Sequence, residues 1–121
     1  MASTEITIEL SPADAAHCIE RGDAQIVDVR TEDEHAAGHI AGDRLIPFDH
    51  LSEHAAELDK ARPVLFYCRS GDRSASAAEG FKASGWDASS ISGGLLAWAD
   101  GGLPLEPQDG EVADRSTLPG H

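Results

Sequence analysis

Apolar and polar positions along this chain predict short strands that alternate with helices. The clearest strand is the continuous apolar run at 64–67, directly after Pro63, which is typical of a central parallel strand covered on both faces. A strand at 44–46 is closed by Pro47, which lacks the N–H that a longer strand would need. The other predicted strands are at 6–10, 25–29 and 88–91.

Helix signals fill the intervals between these strands. Ser11, Pro12 and Asp14 supply an N-cap, a first-turn proline and a first-turn acid. Thr31 caps the next helix, and Gly38 stops it. Strands alternating with helices on short loops indicate an α/β domain with a mostly parallel sheet. The predicted helices span 11–22, 31–37, a segment that starts at Asp49 or Ser52, 74–84 and 95–99.

Chain length and composition set the domain organisation. With 121 residues, 40% of them hydrophobic, the chain is long enough for one domain with its own core and too short for two ordinary ones. We predict that residues 1–106 form this domain. Residues 107–121 are polar, contain Pro and Gly and lack apolar periodicity, so we predict a disordered tail there.

The charge balance narrows the classes of partner. Acidic residues number 22 and basic residues 9, which gives a net charge of −13. A surface this acidic repels nucleic-acid phosphates and anionic membranes. The N-terminus has neither a positive patch nor a long apolar run, and no later stretch is long enough to span a bilayer, so we expect a cytoplasmic protein.

The candidate chemistry is concentrated in the loop after the strand at 64–67. Cys68 follows that strand directly and precedes a helix, so its thiol is predicted at the carboxyl edge of the sheet, where open α/β sheets bind ligands. Exposed N–H groups and the helix dipole favour anions at such a position. The candidate functional residues are Cys68, Arg69, Ser70, Gly71, Asp72, Arg73 and Ser74.

The residue types of this loop fit an anionic sulfur nucleophile. Backbone N–H groups of residues 69–73 can curl around the Cys68 sulfur, and the two arginines of the loop add positive charge, so the thiolate is favoured. Gly71 tolerates the unusual backbone angles that converging N–H groups require. Ser70 and Ser74 can donate hydroxyl hydrogen bonds to the sulfur or cap the helix. Cys68 is therefore predicted to be the catalytic nucleophile.

The second cysteine, Cys18, is predicted to be a plain thiol in the first helix. It lies far from Cys68 along a chain with no export signal, which disfavours a structural disulfide. A role in resolving a persulfide as a disulfide is the less favoured alternative.

Four segments of the chain occur in an order that is typical of a known family. They are Val27-Asp28-Val29-Arg30 with Glu34 and Gly38-His39-Ile40; Ile46-Pro47; Cys68 to Ser74; and Gly93-Gly94 with Ala97-Trp98 and Gly102-Leu103-Pro104. Together they span roughly 10–105, most of the chain. In these segments the chain resembles the single-domain rhodaneses, a family of sulfurtransferases.

The resemblance implies a rhodanese-like three-layer α/β domain, with a five-stranded, mostly parallel sheet and helices on both faces. It also implies sulfur transfer in two steps. The Cys68 thiolate takes the outer sulfur of a small donor, such as thiosulfate or a persulfide, and an acceptor thiol, a thioredoxin-like protein or cyanide then removes it. Residues 69–74 would bind the donor. No metal and no organic cofactor is needed.

Three departures from the family pattern, at four positions, bear on the identity of the donor. Asp72 is an acid where relatives often have a neutral or basic residue, and it should oppose an anionic donor such as thiosulfate. His35 replaces an aromatic residue, and Asp43-Arg44 replaces a small and apolar pair. Persulfide chemistry at Cys68 is compatible with all three changes.

Three alternative functions use the same loop. A phosphatase or arsenate reductase of the dual-specificity type needs Cys-x5-Arg, whereas Cys68 and Arg73 form Cys-x4-Arg and Ser74 stands at the position of the phosphatase arginine. A non-catalytic binding module of the family typically lacks the cysteine, which is present here. A sulfur relay between partner proteins differs from a thiosulfate enzyme in its partners alone.

Histidine pairs are the other candidate ligands. His35 with His39, and His50 with His54, are each four residues apart, but neither pair has a third ligand at metal spacing. We therefore predict no metal site and expect His39 to bond the backbone of its loop.

Other residues near the predicted site are expected to be structural. Asp28 and Arg30 should form an internal ion pair or loop hydrogen bonds at the catalytic edge. The aromatic residues Phe81, Trp86 and Trp98 should belong to the core and a lid.

Overall fold

Five strands form a single sheet in which every neighbouring pair runs parallel. The computed structural model describes residues 9–113. The strands are β1 Glu9–Leu10, β2 Gln25–Asp28, β3 Arg44–Leu45, β4 Val64–Tyr67 and β5 Ala88–Ile91. The helices are α1 Pro12–Glu20, α2 Glu32–Ala37, α3 Leu51–His54, α4 Asp72–Ala83 and α5 Gly94–Asp100, with 3-10 turns at Phe48–His50 and Ala55–Glu57. The strand order is β1-β5-β4-β2-β3, and the predicted five-stranded α/β fold is confirmed.

The residues of β4 alternate between two hydrophobic cores, one on each face of the sheet. Val64 and Phe66 pack with Val27 on the face covered by α3 and α4. Leu65 and Tyr67 pack on the opposite face, which α1 and α5 cover. Because successive side chains of a strand point to opposite faces, a central strand between two helical layers must be apolar throughout. The apolar run thus centres the three-layer domain on β4.

Side-chain caps explain where α1 and α2 begin. The Ser11 hydroxyl accepts a hydrogen bond of 3.1 Å from the backbone N–H of Asp14. Thr31 and Glu34 form a capping box, in which each side chain accepts from the other residue's backbone N–H. The predicted caps are confirmed. Because Glu34 is fully buried, its cap also places a carboxylate inside the domain.

The fourth helix begins two residues earlier than the sequence predicts. It starts at Asp72 instead of Ser74, because Gly71 takes a left-handed conformation with φ of 107° that turns the chain directly into the helix. Asp72 and Arg73 therefore lie in the first helical turn, where the Cys68 loop joins α4.

Residues 107–113, which the sequence assigns to a disordered tail, pack against the domain. The backbone N–H of Glu111 donates to the last carbonyl of α2 at 2.9 Å, and Arg69 Nε donates to the carbonyl of Ala113 at 3.0 Å. Gly38 permits this approach, because a Cβ atom there would collide with the Glu111 backbone. Backbone hydrogen bonds thus hold a polar segment whose composition gives no sign of packing.

Two predictions fall on residues outside the described range: the start of the first strand, at 6–8, and the last part of the tail, at 114–121. Among the helices of residues 9–113, none combines the length and the apolar character that a membrane crossing requires.

Candidate active site

Cys68 lies immediately beyond β4, at the carboxyl end of the sheet. Its side chain continues the alternation of Val64 and Phe66 and belongs to the same core cluster, on the α4 face. The residue is only 1% exposed. The strand register thus directs the thiol toward the N-terminus of α4.

Three groups of the loop surround the Cys68 sulfur. The backbone N–H of Gly71 donates to Sγ at 3.1 Å and that of Ser74 at 3.4 Å, while the Ser74 hydroxyl lies 3.4 Å from Sγ. The 12-residue helix α4 directs the positive end of its dipole to the same place. Such donors and dipoles stabilise a thiolate relative to a thiol. The arrangement can therefore hold an anionic sulfur nucleophile.

A buried serine of the neighbouring strand extends this set, and the sequence analysis missed it. Ser90 of β5 is fully buried, and its hydroxyl lies 2.7 Å from the Ser74 hydroxyl. A hydroxyl carries a single proton, so donation from Ser90 to Ser74 leaves the Ser74 proton for Sγ or for the Gly71 carbonyl at 3.2 Å. The sequence feature that could have identified Ser90 is its spacing: it lies two residues after the buried Ala88 in the same strand, so both side chains point to the same face.

The two arginines of the loop are held by other groups. Arg73 donates through Nη1 and Nη2 to the two carboxylate oxygens of Glu34, at 3.3 and 3.2 Å, and Arg69 donates to the carbonyl of Ala113. In the part of the chain that the structure describes, neither guanidinium donates a hydrogen bond to Sγ. Backbone and hydroxyl groups contact the sulfur, as the sequence predicts for groups of these kinds, and the guanidinium groups do not.

The pair formed by Glu34 and Arg73 ties α2 to the first turn of α4. Burial opposes ionisation of Glu34, but hydrogen bonds from Arg73 and Thr31 and the charge of Arg73 outweigh it. Together they hold the pKa of this carboxyl below its ordinary value of 4.5. The ion pair therefore positions the helix whose N-terminus faces the sulfur.

Ser70 and Asp72 lie on the exposed rim of the loop. Within residues 9–113, Asp72 forms no ion pair. Arg73 pairs with Glu34, and Arg44 pairs with an exposed glutamate at 3.1 Å. Among residues 69–74, no cation therefore forms an ion pair with Asp72.

A cleft of about 990 Å³ adjoins the loop at the carboxyl ends of β2 and β3. Arg73 forms part of its wall, but most of its charged lining is acidic. Within the cleft, this lining favours positively charged ligands over anionic ones. The acidic lining residues are Glu32, Asp33, Asp49 and Glu53.

Asp28 and Arg30 form a fully buried ion pair at the end of β2. Arg30 donates to both carboxylate oxygens, at 2.8 and 2.9 Å, and to the carbonyl of Gly38 at 2.7 Å. Burial opposes the charged guanidinium, but the hydrogen bonds and charge of Asp28 raise the pKa of Arg30 above its ordinary value. The predicted internal ion pair is confirmed.

The other residues singled out by the sequence belong to the scaffold. Phe81 packs edge-on against Phe66 and next to Trp86, and Trp98 is buried in the other core. Their predicted place in the core is confirmed. Cys18 is partly buried in α1, and both cysteines are free thiols.

Comparisons with known proteins agree on one family. A model of the rhodanese-like domain matches residues 11–100. A sulfurtransferase of Allochromatium vinosum is 36% identical over 89 residues, which cover 73% of this chain and 83% of the relative. Thiosulfate sulfurtransferase GlpE of Pseudomonas aeruginosa is 34% identical over 104 residues, covering 85% and 93%. A solved rhodanese-related protein of Thermoplasma volcanium gives a TM-score of 0.75 at 29% identity, covering 80% of this chain and 95% of its own.

Proposed function

This chain belongs to the rhodanese-like domain family, and on that premise we propose that it is a sulfurtransferase that carries sulfur as a persulfide on Cys68. The main support is the position of Sγ, which accepts from the N–H groups of Gly71 and Ser74 at the N-terminus of α4. Those donors favour the thiolate, the form of cysteine that attacks sulfur donors.

The reaction proceeds in two displacements at sulfur. The Cys68 thiolate attacks the outer sulfur of thiosulfate, a new S–S bond forms, and the old one breaks, so that sulfite leaves with its electron pair and the enzyme holds a persulfide anion. An acceptor thiolate then attacks the outer persulfide sulfur, takes it, and regenerates the Cys68 thiolate. Charge balances in both steps, and no redox cofactor is required. Covalent transfer of this kind predicts ping-pong kinetics.

The charge around the site supports a proposal about the donor and the acceptor. Thiosulfate is a dianion, and both Asp72 and the acidic cleft oppose its approach. We propose that thiosulfate is used but binds weakly, and that a donor with lower negative charge, such as an alkyl persulfide, whose sulfurs carry at most one negative charge, reacts more efficiently. The acceptor is a small thiol or a thioredoxin-like protein, and a positively charged surface on such a protein would complement the cleft.

The direct test is the mass of the intact protein after incubation with thiosulfate and, separately, with a low-molecular-weight persulfide. We expect one added sulfur atom that maps to Cys68, is lost on adding cyanide, and is absent from the Cys68→Ser variant. Cys18→Ser is the matched control and should still gain the sulfur.

Other outcomes point to the alternatives. A folded protein that gains no sulfur from either donor would overturn the proposal and favour a non-catalytic binding module. Hydrolysis of aryl phosphates that depends on Cys68 would favour a phosphatase instead. Efficient transfer to a thioredoxin-like protein, combined with slow transfer to cyanide and small thiols, would place the chain in a sulfur relay.

A further inference from the structure

Three metal-ligating side chains meet outside the sulfur site. One ring nitrogen each of His35 and His39 and one carboxylate oxygen of Asp43 lie within 4.8 Å of one another. His35 is in the last turn of α2, which ends before Gly38. The loop that follows α2 places the His39 ring against the His35 ring and then brings Asp43 next to both. Asp43 is the third candidate ligand, which the spacing of residues along the sequence does not show.

We propose that His35, His39 and Asp43 form a binding site for one divalent transition-metal ion, with Zn²⁺ as the best-suited ion. His35 Nε2 lies 3.1 Å from Asp43 Oδ1. Two ligands of a tetrahedral Zn²⁺ with bonds of about 2.0 Å are about 3.3 Å apart, so this edge of the site is already formed. On binding, the metal takes the place of this hydrogen bond, and the neutral His35 ring carries its single proton at Nδ1 instead of Nε2. Two imidazoles and one carboxylate suit Zn²⁺, Ni²⁺ or Cu²⁺ better than Mg²⁺ or Ca²⁺, which prefer oxygen ligands.

Hydrogen bonds behind the ligands support this assignment. His39 Nδ1 lies 2.9 Å from the carbonyl of His35, and a carbonyl only accepts, so Nδ1 carries the proton and Nε2 of the neutral ring remains available to a metal. The Tyr67 hydroxyl donates to Asp43 Oδ2 at 2.6 Å, which orients the carboxylate and leaves Oδ1 toward His35.

The packing of the cluster sets what metal binding requires. The two imidazole rings are stacked, with centroids 3.8 Å apart and planes inclined by 12°, so one ring must turn for both nitrogens to face the same ion. The Asp43 side chain is 3% exposed and that of His35 is 22% exposed, so the cluster is mostly enclosed but open to entry from one side. Three protein ligands leave a fourth position for water. A metal here would clamp α2 and its following loop to Tyr67, the residue before Cys68.

Zinc titration tests the site in a protein that carries no affinity tag of histidines and in which both cysteines are serine, because thiolates bind Zn²⁺ themselves. Isothermal titration calorimetry should give one Zn²⁺ per chain. His35→Gln can keep the hydrogen bond to Asp43 but removes the imidazole, and it should weaken binding at least tenfold. His50→Gln is the matched control, because His50 is also next to a carboxylate, 3.3 Å from Glu53, but lies outside the cluster; it should leave binding unchanged.

Imidazole NMR signals provide a second measurement in the same protein. Signals of His35 and His39 should move on adding Zn²⁺, whereas those of His50 and His54 should not. Absence of saturable binding, unchanged affinity in both His35→Gln and Asp43→Asn, or loss of binding in His50→Gln would each overturn the proposal. Circular dichroism of every variant separates a lost ligand from a lost fold.

Discussion

Replacing Gly94 with Ala should disturb the sulfur site from the side opposite α4. The N-terminus of α5 rests on the Cys68 loop, since the N–H of Leu95 donates to the Cys68 carbonyl at 2.8 Å and that of Leu96 to the Arg69 carbonyl at 3.0 Å. A Cβ atom at position 94 would lie 2.5 Å from the Arg69 oxygen and 2.6 Å from the Cys68 oxygen. Ordinary contact starts at 3.4 Å, so α5 and the loop must separate.

The size of the effect follows from two contributions. Gly94 has φ of 63°, and a left-handed backbone costs a residue with a Cβ about 1–2 kcal/mol. Separating α5 from the loop weakens two hydrogen bonds, worth about 1 kcal/mol each. Gly22→Ala is the matched control, because Gly22 has φ of 71° but a Cβ atom added there would meet no neighbour within 4 Å. Gly94→Ala should therefore lower the free energy of unfolding by about 2 kcal/mol more than Gly22→Ala does.

Urea unfolding of both variants measures the stability difference, and the rate of thiocyanate formation from thiosulfate and cyanide measures the site. A displacement of the nucleophile by a fraction of an ångström to one ångström should lower kcat/KM at least tenfold in Gly94→Ala, with little change in Gly22→Ala. Equal stability and equal kcat/KM in the two variants would refute the role assigned to this contact. The stability comparison holds even if the proposed activity is absent.

Three further substitutions test separate parts of the site. Asp72→Asn should raise kcat/KM for thiosulfate about three- to tenfold, mostly through KM, because a carboxylate about 6 Å from the donor costs about 0.7 kcal/mol per unit of donor charge in water-like surroundings. The gain should shrink in salt, and Glu79→Gln, the control on the same helix, should have no effect. No gain in Asp72→Asn would contradict the repulsion. Ser90→Ala should lower kcat/KM about fivefold by removing the donor to the Ser74 hydroxyl, worth about 1 kcal/mol, and an unchanged rate would show that the sulfur does not depend on it. Because the pKa of Glu34 is lowered in the folded protein, its ion pair contributes stability above pH 4.5 that is lost as the pH falls through the folded pKa. Urea unfolding of the protein and of Glu34→Gln should therefore differ by about 1–3 kcal/mol at pH 7, and the difference should diminish toward pH 3. A difference independent of pH would exclude this linkage.

The sequence by itself determined the local elements and the place of the nucleophile. The apolar run at Val64–Tyr67, directly after a proline, indicated a central strand, and a cysteine directly after a parallel strand lies at the carboxyl edge of the sheet. Caps such as Ser11 and Thr31 act within one helical turn, so their residue types sufficed to predict them. Four segments in family order were enough to indicate the family.

Tertiary structure decided which groups surround the sulfur and which do not. Arg73 looked like a ligand for anions, but α2 presents Glu34 to it, 39 residues away along the chain. Ser90 reaches Ser74 only because β5 lies beside β4 in the sheet. Asp43 joins the two histidines through the path of one loop. Periodicity and capping are local properties of a sequence, whereas these contacts depend on strand order, register and loop path, which fix the distance between residues far apart in the chain.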